Sequence, residues 1–164
     1  MNRSFKIVSF ISGLAVIFLD QLSKYIIQAK IPAQGIFLVN NEKLKAAFLP
    51  LINTHLAFGL NVPVVLSYAL FIAVMIILIL LAVNYGKNKA GEFSCVIVIM
   101  SAAFSNFIDR IRMGGVYDFI SISFDNFYWP TFNFADTIIT ISVLYLLIKT
   151  IKNNSANSGI KKTL

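Results

Sequence analysis

The sequence predicts an all-α integral membrane protein with four transmembrane helices, a small outward-facing β-cradle and an outer loop or lid. Hydrophobic residues make up 58% of the chain and charged residues only 13%, with a mean hydropathy of +0.80. A soluble domain carries about 25% charged residues. The 164 residues also contain four apolar segments, each close to the ~20 residues that a helix needs to cross a bilayer.

The first predicted span covers residues 5–27. Arg3 and Lys6 ahead of an apolar core are typical of a secretory signal peptide. The apolar run nevertheless continues past Asp20, and no A-x-A cleavage site follows it, so we expect a retained helix. Asp20 and Lys24 are four residues apart and therefore share one face of this helix, near its outer end.

An outer segment, residues 28–62, follows the first span. The runs IFLV and FLPLI flank the turn signal NNEK at residues 40–43. Short β-type runs on both sides of a turn predict a small hairpin-like platform at the membrane interface. The segment NTHLAFGLN comes next, with Gly59 as an expected bend.

Three further spans complete the bundle, and a polar loop, GKNKAGE, separates the first two of them. They cover residues 63–85, which Pro63 opens, then 93–111 and 132–151. A turn at Gly114-Gly115 leads into an outer loop, 112–131, whose aromatic residues favour the lipid interface or a lid. These aromatic residues are Phe127, Tyr128 and Trp129. Residues 1–152 thus form a single membrane domain, and the polar tail 153–164 is expected to be disordered and cytoplasmic.

The distribution of charge predicts the orientation of the bundle. Four spans place both termini on one side, and eight of the fourteen basic residues fall on that side. Cytoplasmic loops are enriched in lysine and arginine, so we expect cytoplasmic termini. Six of the seven acidic residues, all but Glu92, then lie toward the outer face. The basic residues on the terminal side are Arg3, Lys6, Lys87, Lys89, Lys149, Lys152, Lys161 and Lys162.

The composition disfavours several other classes of function. The net charge of +7 comes without the basic stripe or aromatic platform of a nucleic-acid-binding protein, so no nucleic-acid partner is expected. The single cysteine, Cys95, excludes an internal disulfide, and a thiol nucleophile would need a nearby histidine. The only histidine, His55, is expected to be a surface loop residue. A lone histidine with scattered acids does not make a metal site, and no cofactor is expected.

Ionisable residues are concentrated in one stretch, residues 106–136, which reads NFIDRIRMGGVYDFISISFDNFYWPTFNFAD. A charge at the centre of a membrane helix costs about 2.5–3.5 kcal/mol on insertion scales, so acids near the boundary are candidates for function. Asp109 adjoins Arg110, and for this acid, as for Asp20, structural charge pairing stands beside a functional role. Asp125, in SFDNFY, is expected to be a solvated turn residue.

Two further acids in this stretch have contrasting surroundings. Asp118 lies in VYDFI with no basic residue within five positions, and an apolar setting raises the pKa of a carboxyl group. Asp136 follows Asn133 by three residues, and either Asn133 or Thr131 is a candidate N-cap, so the helix dipole favours the Asp136 anion. Two carboxylates with diverging environments suit general acid–base chemistry on a water. Their separation of 18 residues in the sequence permits them to meet.

Five short motifs occur in order along residues 5–150. They are Asp20-Gln21-x-x-Lys24, Asn53-x-x-x-Ala57-Phe58-Gly59, Asn106-x-x-Asp109-Arg110, Val116-x-Asp118-Phe119 and Phe132-Asn133-x-Ala135-Asp136. By themselves, Asn53 and Asn106 would either orient a carbonyl group or cap a helix end. Together, the five motifs resemble those of the bacterial lipoprotein signal peptidases (signal peptidase II).

This resemblance implies an aspartyl endopeptidase of the bacterial inner membrane, with an outer β-cradle and an active site near the outer face. Such enzymes cut prolipoproteins just before a diacylglyceryl-modified cysteine, so prolipoproteins and membrane lipids are the implied partners. By position, Asp118 and Asp136 correspond to the catalytic acids, and no metal is involved. The chain is expected to act as a monomer. The matching support and substrate-binding residues are Asp20, Lys24, Asn53, Asn106, Asp109, Arg110 and Asn133.

Three positions depart from the pattern of that family. His55 and Leu56 follow Thr54 where the family usually has a glycine and a small residue, and Ser105 replaces a glycine before Asn106. Because glycine permits close packing or an unusual backbone angle, these changes bear on substrate fit and helix spacing. Both acids that correspond to the catalytic pair, Asp118 and Asp136, are retained.

Two other classes of function stay open. One is a divergent paralogue that binds prolipoproteins without cutting them, and the retained pair of acids argues against it. The other is a small proton-coupled transport subunit whose intramembrane acids relay protons. This second class is disfavoured because every acid but Glu92 lies on one side, which leaves no polar path across the membrane.

Overall fold

The structure is a computed structural model that describes residues 2–55, 60 and 62–160. Within this part of the chain, four helices are long and apolar enough to span a bilayer, and the predicted fold class is confirmed. In chain order the elements are α1 (Arg3–Lys30), β1 (Ile36–Asn40), β2 (Leu44–Asn53), α2 (Val64–Tyr85), α3 (Ala90–Met113), β3 (Val116–Phe124), β4 (Phe127–Tyr128) and α4 (Phe134–Ile160).

Helix α3 is the centre of the bundle and packs against α1, α2 and α4. Helix α1 approaches α3 closely at Gly13, where a Cβ would collide with the side chain of Ser101. Helix α2 buries only Ser67 and Leu78 among its described side chains. The apolar side chains of α2 therefore face the surroundings, as expected for a helix in lipid. The buried face of α1 repeats every three or four residues and consists of Ser9, Gly13, Val16, Asp20, Lys24 and Ile27.

The predicted hairpin is present and belongs to a larger antiparallel sheet with the strand order β1-β2-β3-β4. Its turn is held by the Asn41 side chain, whose Oδ1 accepts from the backbone N–H groups of Lys43 at 3.1 Å and Leu44 at 2.7 Å. Because β1 and β2 connect α1 to α2 and β3 and β4 connect α3 to α4, the sheet lies at one end of the bundle.

The connection at residues 112–131 is more ordered than the predicted outer loop. Its first part forms β3, which pairs with β2 so that Asp118 lies opposite Leu51 and Val116 opposite Asn53. The aromatic and β-branched residues of VYDFISISF favour a strand once a partner strand is available. The candidate site residue Asp118 is therefore part of an inner strand of the sheet.

The predicted Gly114-Gly115 turn ends α3 and starts β3. Gly114 is in the left-handed region at a φ of 74° and donates its N–H to the carbonyl of Arg110 at 3.0 Å. A Cβ on Gly115 would lie 2.9 Å from the carbonyl oxygen of Asn53. The second glycine therefore lets β3 lie against the end of β2.

Helix α4 is longer than predicted. It continues to Ile160, whereas the sequence predicted a span ending near 151 and a disordered tail from 153. No proline follows Pro130 in the sequence, so every residue of this extension keeps the backbone N–H that helical hydrogen bonding needs. Residues 161–164 of the predicted tail lie outside the described residues.

Candidate active site

Asp118 is buried in β3 with only 2% of its surface exposed. Both of its carboxylate oxygens accept hydrogen bonds: Oδ2 from Asn53 Nδ2 at 2.9 Å and Oδ1 from Asn133 Nδ2 at 2.7 Å. Burial raises the pKa of Asp118 to about 6, and the nearby charge of Asp136 adds to this, although the two amides favour the ionised form. The direction of this pKa shift agrees with the prediction from the sequence.

Asp136 lies in the first turn of α4, where the backbone and side chains form a capping box. The backbone N–H of Asp136 donates to Asn133 Oδ1 at 3.0 Å, and the N–H of Asn133 donates to Asp136 Oδ2 at 3.2 Å. The other carboxylate oxygen accepts from Asn106 Nδ2 at 2.9 Å. Of the two candidate caps, Asn133 makes these bonds.

Asn133 links the two carboxylates directly. Its side-chain amide donates to Asp118, and its backbone N–H donates to Asp136. The residue is fully buried, and the same amide nitrogen also lies 3.0 Å from Asn106 Oδ1. The structure thus brings together two acids that the sequence spacing only permitted to meet.

A buried cluster of charges lies between α1 and α3 beside these acids. Lys24 Nζ contacts Asp20 Oδ2 at 2.7 Å, Asp109 Oδ2 at 2.6 Å and Asn106 Oδ1 at 2.9 Å. The pairing of Asp20 with Lys24 follows the predicted helix face. Asp109 pairs with Lys24, although the sequence placed Arg110 next to it, because adjacent helical residues do not face each other.

Arg110 is directed to the loop that follows β2. Its guanidinium Nη2 donates to the carbonyl oxygen of His55 at 2.8 Å. His55 is exposed, as expected of a surface loop residue. Leu56, the other departure in this loop, lies outside the described residues together with residues 57–59.

The hairpin that joins β3 to β4 is exposed. Asp125 is exposed at its turn, in the left-handed region with a φ of 54°, in agreement with the prediction of a solvated turn residue. The aromatic side chains that follow are also exposed, Phe127 by 60%, Tyr128 by 70% and Trp129 by 54%. Exposed aromatic rings at the end of a membrane bundle favour the lipid interface.

Two polar side chains near the site were not among the predicted site residues. Gln21 Nε2 donates to Asp109 Oδ1 at 2.9 Å and to Ser105 Oγ at 3.0 Å. The hydroxyl of Ser105, which is fully buried, donates to Asp20 Oδ2 at 2.7 Å. The sequence offered one signal for both residues: each is a polar residue inside an apolar helix, and a buried polar group needs a hydrogen-bond partner.

Comparisons with known proteins identify the family that this chain resembles. A family model described as signal peptidase (SPase) II matches residues 13–152. The lipoprotein signal peptidase of Anaplasma phagocytophilum (strain HZ) is 31% identical over 152 residues, covering 91% of this chain and 95% of that protein. The lipoprotein signal peptidase of Anaplasma marginale (strain Florida) is 33% identical over 147 residues, covering 87% and 83%.

Solved structures show the same fold. One is described as a bacterial membrane enzyme determined by the in meso method at 2.3 Å resolution; it has a TM-score of 0.72 and 27% identity, and the match covers 91% of this chain and 90% of that chain. A second, described in the same words at 1.9 Å resolution, has a TM-score of 0.68 and 26% identity and covers 88% and 93%. The likeness therefore extends over most of this chain.

Proposed function

The chain belongs to the signal peptidase II family, and from this premise we propose that it removes signal peptides from diacylglyceryl-modified prolipoproteins as an aspartyl endopeptidase. The family supports a multi-pass bacterial membrane protease that processes lipoproteins. The finer proposal is that Asp118 and Asp136 are its two catalytic acids. The cut falls just before the lipid-bearing cysteine.

The observation that carries this proposal is the arrangement around Asn133. This residue donates its side-chain amide to Asp118 and its backbone N–H to Asp136. Each carboxylate also accepts from a second asparagine, Asn53 or Asn106. Two carboxylates brought close together in a largely buried site favour the sharing of one proton, as in other aspartyl proteases.

The reaction follows from a singly protonated pair. A water between the carboxylates attacks the scissile carbonyl carbon while the ionised acid accepts a proton from the water. The protonated acid donates its proton to the carbonyl oxygen, which gives a neutral tetrahedral diol. When this diol collapses, the acid that accepted the proton of the water donates it to the leaving nitrogen, the other acid accepts a proton from a diol hydroxyl, and the C–N bond breaks. A carboxylic acid and an amine are released, and the pair returns to its starting protonation state.

The raised pKa of Asp118 favours this residue as the proton donor and Asp136 as the base. The two acids titrate as one unit, so the proton belongs to the pair, and the reactive form is the fraction in which Asp118 carries it. Arg110 acts on the reaction through the loop at His55, whose carbonyl it holds. We assign to Arg110, together with the His55 carbonyl that it holds, the positioning of the peptide backbone of the substrate.

The substrate enters from the bilayer. The exposed apolar faces of the helices receive its signal helix and lipid chains, and the exposed hairpin at residues 124–129 rests at the outer interface. In this orientation both termini are cytoplasmic, and the sheet faces the outer side of the bacterial inner membrane. The chain acts as a monomer, since all the proposed catalytic groups come from one copy.

The proposal is tested with purified protein in detergent and a diacylglyceryl-modified prolipoprotein. Release of the signal peptide is followed by gel shift for wild type, Asp118→Asn and Asp136→Asn. Each substitution is expected to lower the rate by at least about 10³-fold, because the general base or acid is lost along with the water geometry. A thermal melt of each variant verifies that the protein stays folded.

Asp125→Asn is the matched control, because it changes the same functional group in an exposed turn of the same sheet. It should cleave at the wild-type rate. Normal turnover by Asp118→Asn would refute the mechanism. Binding of the prolipoprotein without cleavage by wild type would instead establish a non-cleaving member of the family.

A further inference from the structure

We propose that Ser105 is a positioning residue that sets the separation of the two catalytic aspartates through a closed ring of buried polar contacts. This inference rests on the function proposed above. The ring consists of five side chains from α1 and α3, and we call it the anchor ring. Its members are Asp20, Gln21, Lys24, Ser105 and Asp109.

The anchor ring closes on itself through hydrogen bonds and ion pairs. Ser105 Oγ donates to Asp20 Oδ2 at 2.7 Å and accepts from Gln21 Nε2 at 3.0 Å. Gln21 Nε2 also donates to Asp109 Oδ1 at 2.9 Å. Lys24 then joins Asp109 to Asp20, at 2.6 Å and 2.7 Å. Every bond restrains its neighbours, so the two carboxylates of the ring are held at a defined separation.

Each carboxylate of the ring holds one backbone N–H next to a catalytic acid. Asp20 Oδ1 accepts from the N–H of Ala135 at 2.9 Å, one residue before Asp136. Asp109 Oδ2 accepts from the N–H of Tyr117 at 3.2 Å, one residue before Asp118. The separation of Asp20 from Asp109 is therefore transmitted to the start of α4 and to β3.

Ser105 closes the ring on the side opposite Lys24. Lys24 contacts both carboxylates directly, whereas Ser105 and Gln21 connect them through two neutral side chains. Ser105 has no exposed surface, so water cannot replace its hydroxyl without a new cavity. Without this hydroxyl, Asp20 can turn about Lys24, and the N–H of Ala135 moves with it.

The test compares Ser105→Ala with Ser94→Ala in the full-length protein. Ser94 is a matched control because its hydroxyl also bonds between α3 and α1, to Ser9 at 2.8 Å, about three helical turns away toward the other end of the bundle. Both substitutions remove one hydroxyl from the same helix pair. Only Ser105→Ala breaks the anchor ring.

We expect Ser105→Ala to lower kcat at least tenfold while KM changes less than twofold, because displacements of about 1 Å in a catalytic pair are costly. Ser94→Ala should keep the wild-type kcat, and thermal melts compare the stability of the two variants. Exchange of the Ala135 amide hydrogen, followed by NMR in micelles, should be faster in Ser105→Ala and unchanged in Ser94→Ala.

The outcomes separate this inference from the proposed function. If wild type cleaves the prolipoprotein and Ser105→Ala matches Ser94→Ala in kcat, the positioning role is wrong and the proposed function stands. If wild type does not cleave, the proposed function is wrong, and exchange of the Ala135 amide hydrogen alone then tests whether Ser105 restrains the start of α4. Unchanged exchange at Ala135 in Ser105→Ala overturns the anchor ring as a restraint on α4.

Discussion

At the residue scale, Asn133 performs two tasks that can be separated by substitution. It caps α4 by accepting the N–H of Asp136 at its Oδ1, and it reaches Asp118 with its Nδ2. A serine at this position still caps the helix but has no amide to reach Asp118. Alanine can do neither.

Asn133→Ser should therefore retain most of the thermal stability while kcat falls about 10–100-fold, in the range of a lost positioning contact. Asn133→Ala should lose the same activity and, in addition, about 1 kcal/mol of stability with the cap. Melting curves and cleavage rates for both variants check this. Wild-type turnover in Asn133→Ser would show that the hydrogen bond from the Asn133 side-chain amide to Asp118 has no role in the reaction.

The burial of Asp118 makes the stability of the fold depend on pH. Its pKa is raised from the ordinary value of 3.8 to about 6. Below pH 4 the carboxyl group is protonated in both the folded and the unfolded state, so no charge is buried and folding carries no cost from this group. Between pH 4 and 6 the unfolded state ionises first, so the folded state loses stability as the pH rises. Above pH 6 the loss is constant.

Asp118→Asn removes this loss and should raise the melting temperature at pH 7, with no difference below pH 4. The pKa shift corresponds to at most about 3 kcal/mol. An asparagine has one oxygen and can no longer accept both hydrogen bonds that Asp118 accepts, which reduces the expected gain in stability to about 1–2 kcal/mol. Melting curves from pH 4 to 8 measure it, with Asp125→Asn as the exposed control. A stability gain independent of pH would contradict burial of the charge as the cause.

At the scale of elements, the turn between α3 and β3 has two glycines with different physical requirements. Gly114 needs its left-handed backbone, at a φ of 74°, but a Cβ there would meet open space. Gly115 lies against the end of β2, where a Cβ would meet backbone atoms of Asn53 within 3.0 Å. Asn53 is also a hydrogen-bond donor to Asp118.

Gly114→Ala should thus lower stability by about 1 kcal/mol with little change in kcat, since only the backbone angle is strained. Gly115→Ala should push β3 away from Asn53 and lower kcat at least tenfold. The two adjacent variants, assayed for melting temperature and for cleavage, serve as controls for each other. Equal kcat values in both would show that the contact of β2 with β3 does not position Asp118.

At the scale of the whole molecule, the orientation in the membrane can be measured from two exposed turns at opposite ends of the bundle. Asn88 lies in the turn between α2 and α3, and Asp125 lies in the turn between β3 and β4. In a Cys95→Ser background, Asp125→Cys should react with a membrane-impermeant maleimide in intact spheroplasts. Asn88→Cys should react only after lysis.

This result would place the sheet outside and the α2–α3 turn in the cytoplasm, as the distribution of basic residues predicts. The opposite labelling pattern would invert the molecule and would place the proposed site on the cytoplasmic side. As a control, each cysteine variant is assayed for cleavage of the prolipoprotein, so that the labelled protein is known to be functional.

Contacts that are local in sequence were predictable, because they depend on the period of a single helix or strand. The four spans follow from apolar length, and the Asp20–Lys24 pair and the Asn133 cap follow from spacings of four and three residues. The β1–β2 hairpin follows from its turn signal. Even here, the end of α4 was missed: the Asn, Ser and Gly residues of 153–160 favour a helix stop, yet the helix continues to Ile160.

Contacts between distant segments were decided by the tertiary structure alone. In the sequence Asp109 adjoins Arg110, but the packing of α1 on α3 pairs Asp109 with Lys24 instead. Likewise, the strand pairing of β3 buries Asp118 and turns it toward Asn133. By itself, the sequence determined that this chain lies in a membrane, which helices cross it and which acids are candidates. The tertiary structure decided that Asp118 and Asp136 come together. That proximity depends on strand-pairing and helix-packing energies contributed by many residues, which no single motif encodes.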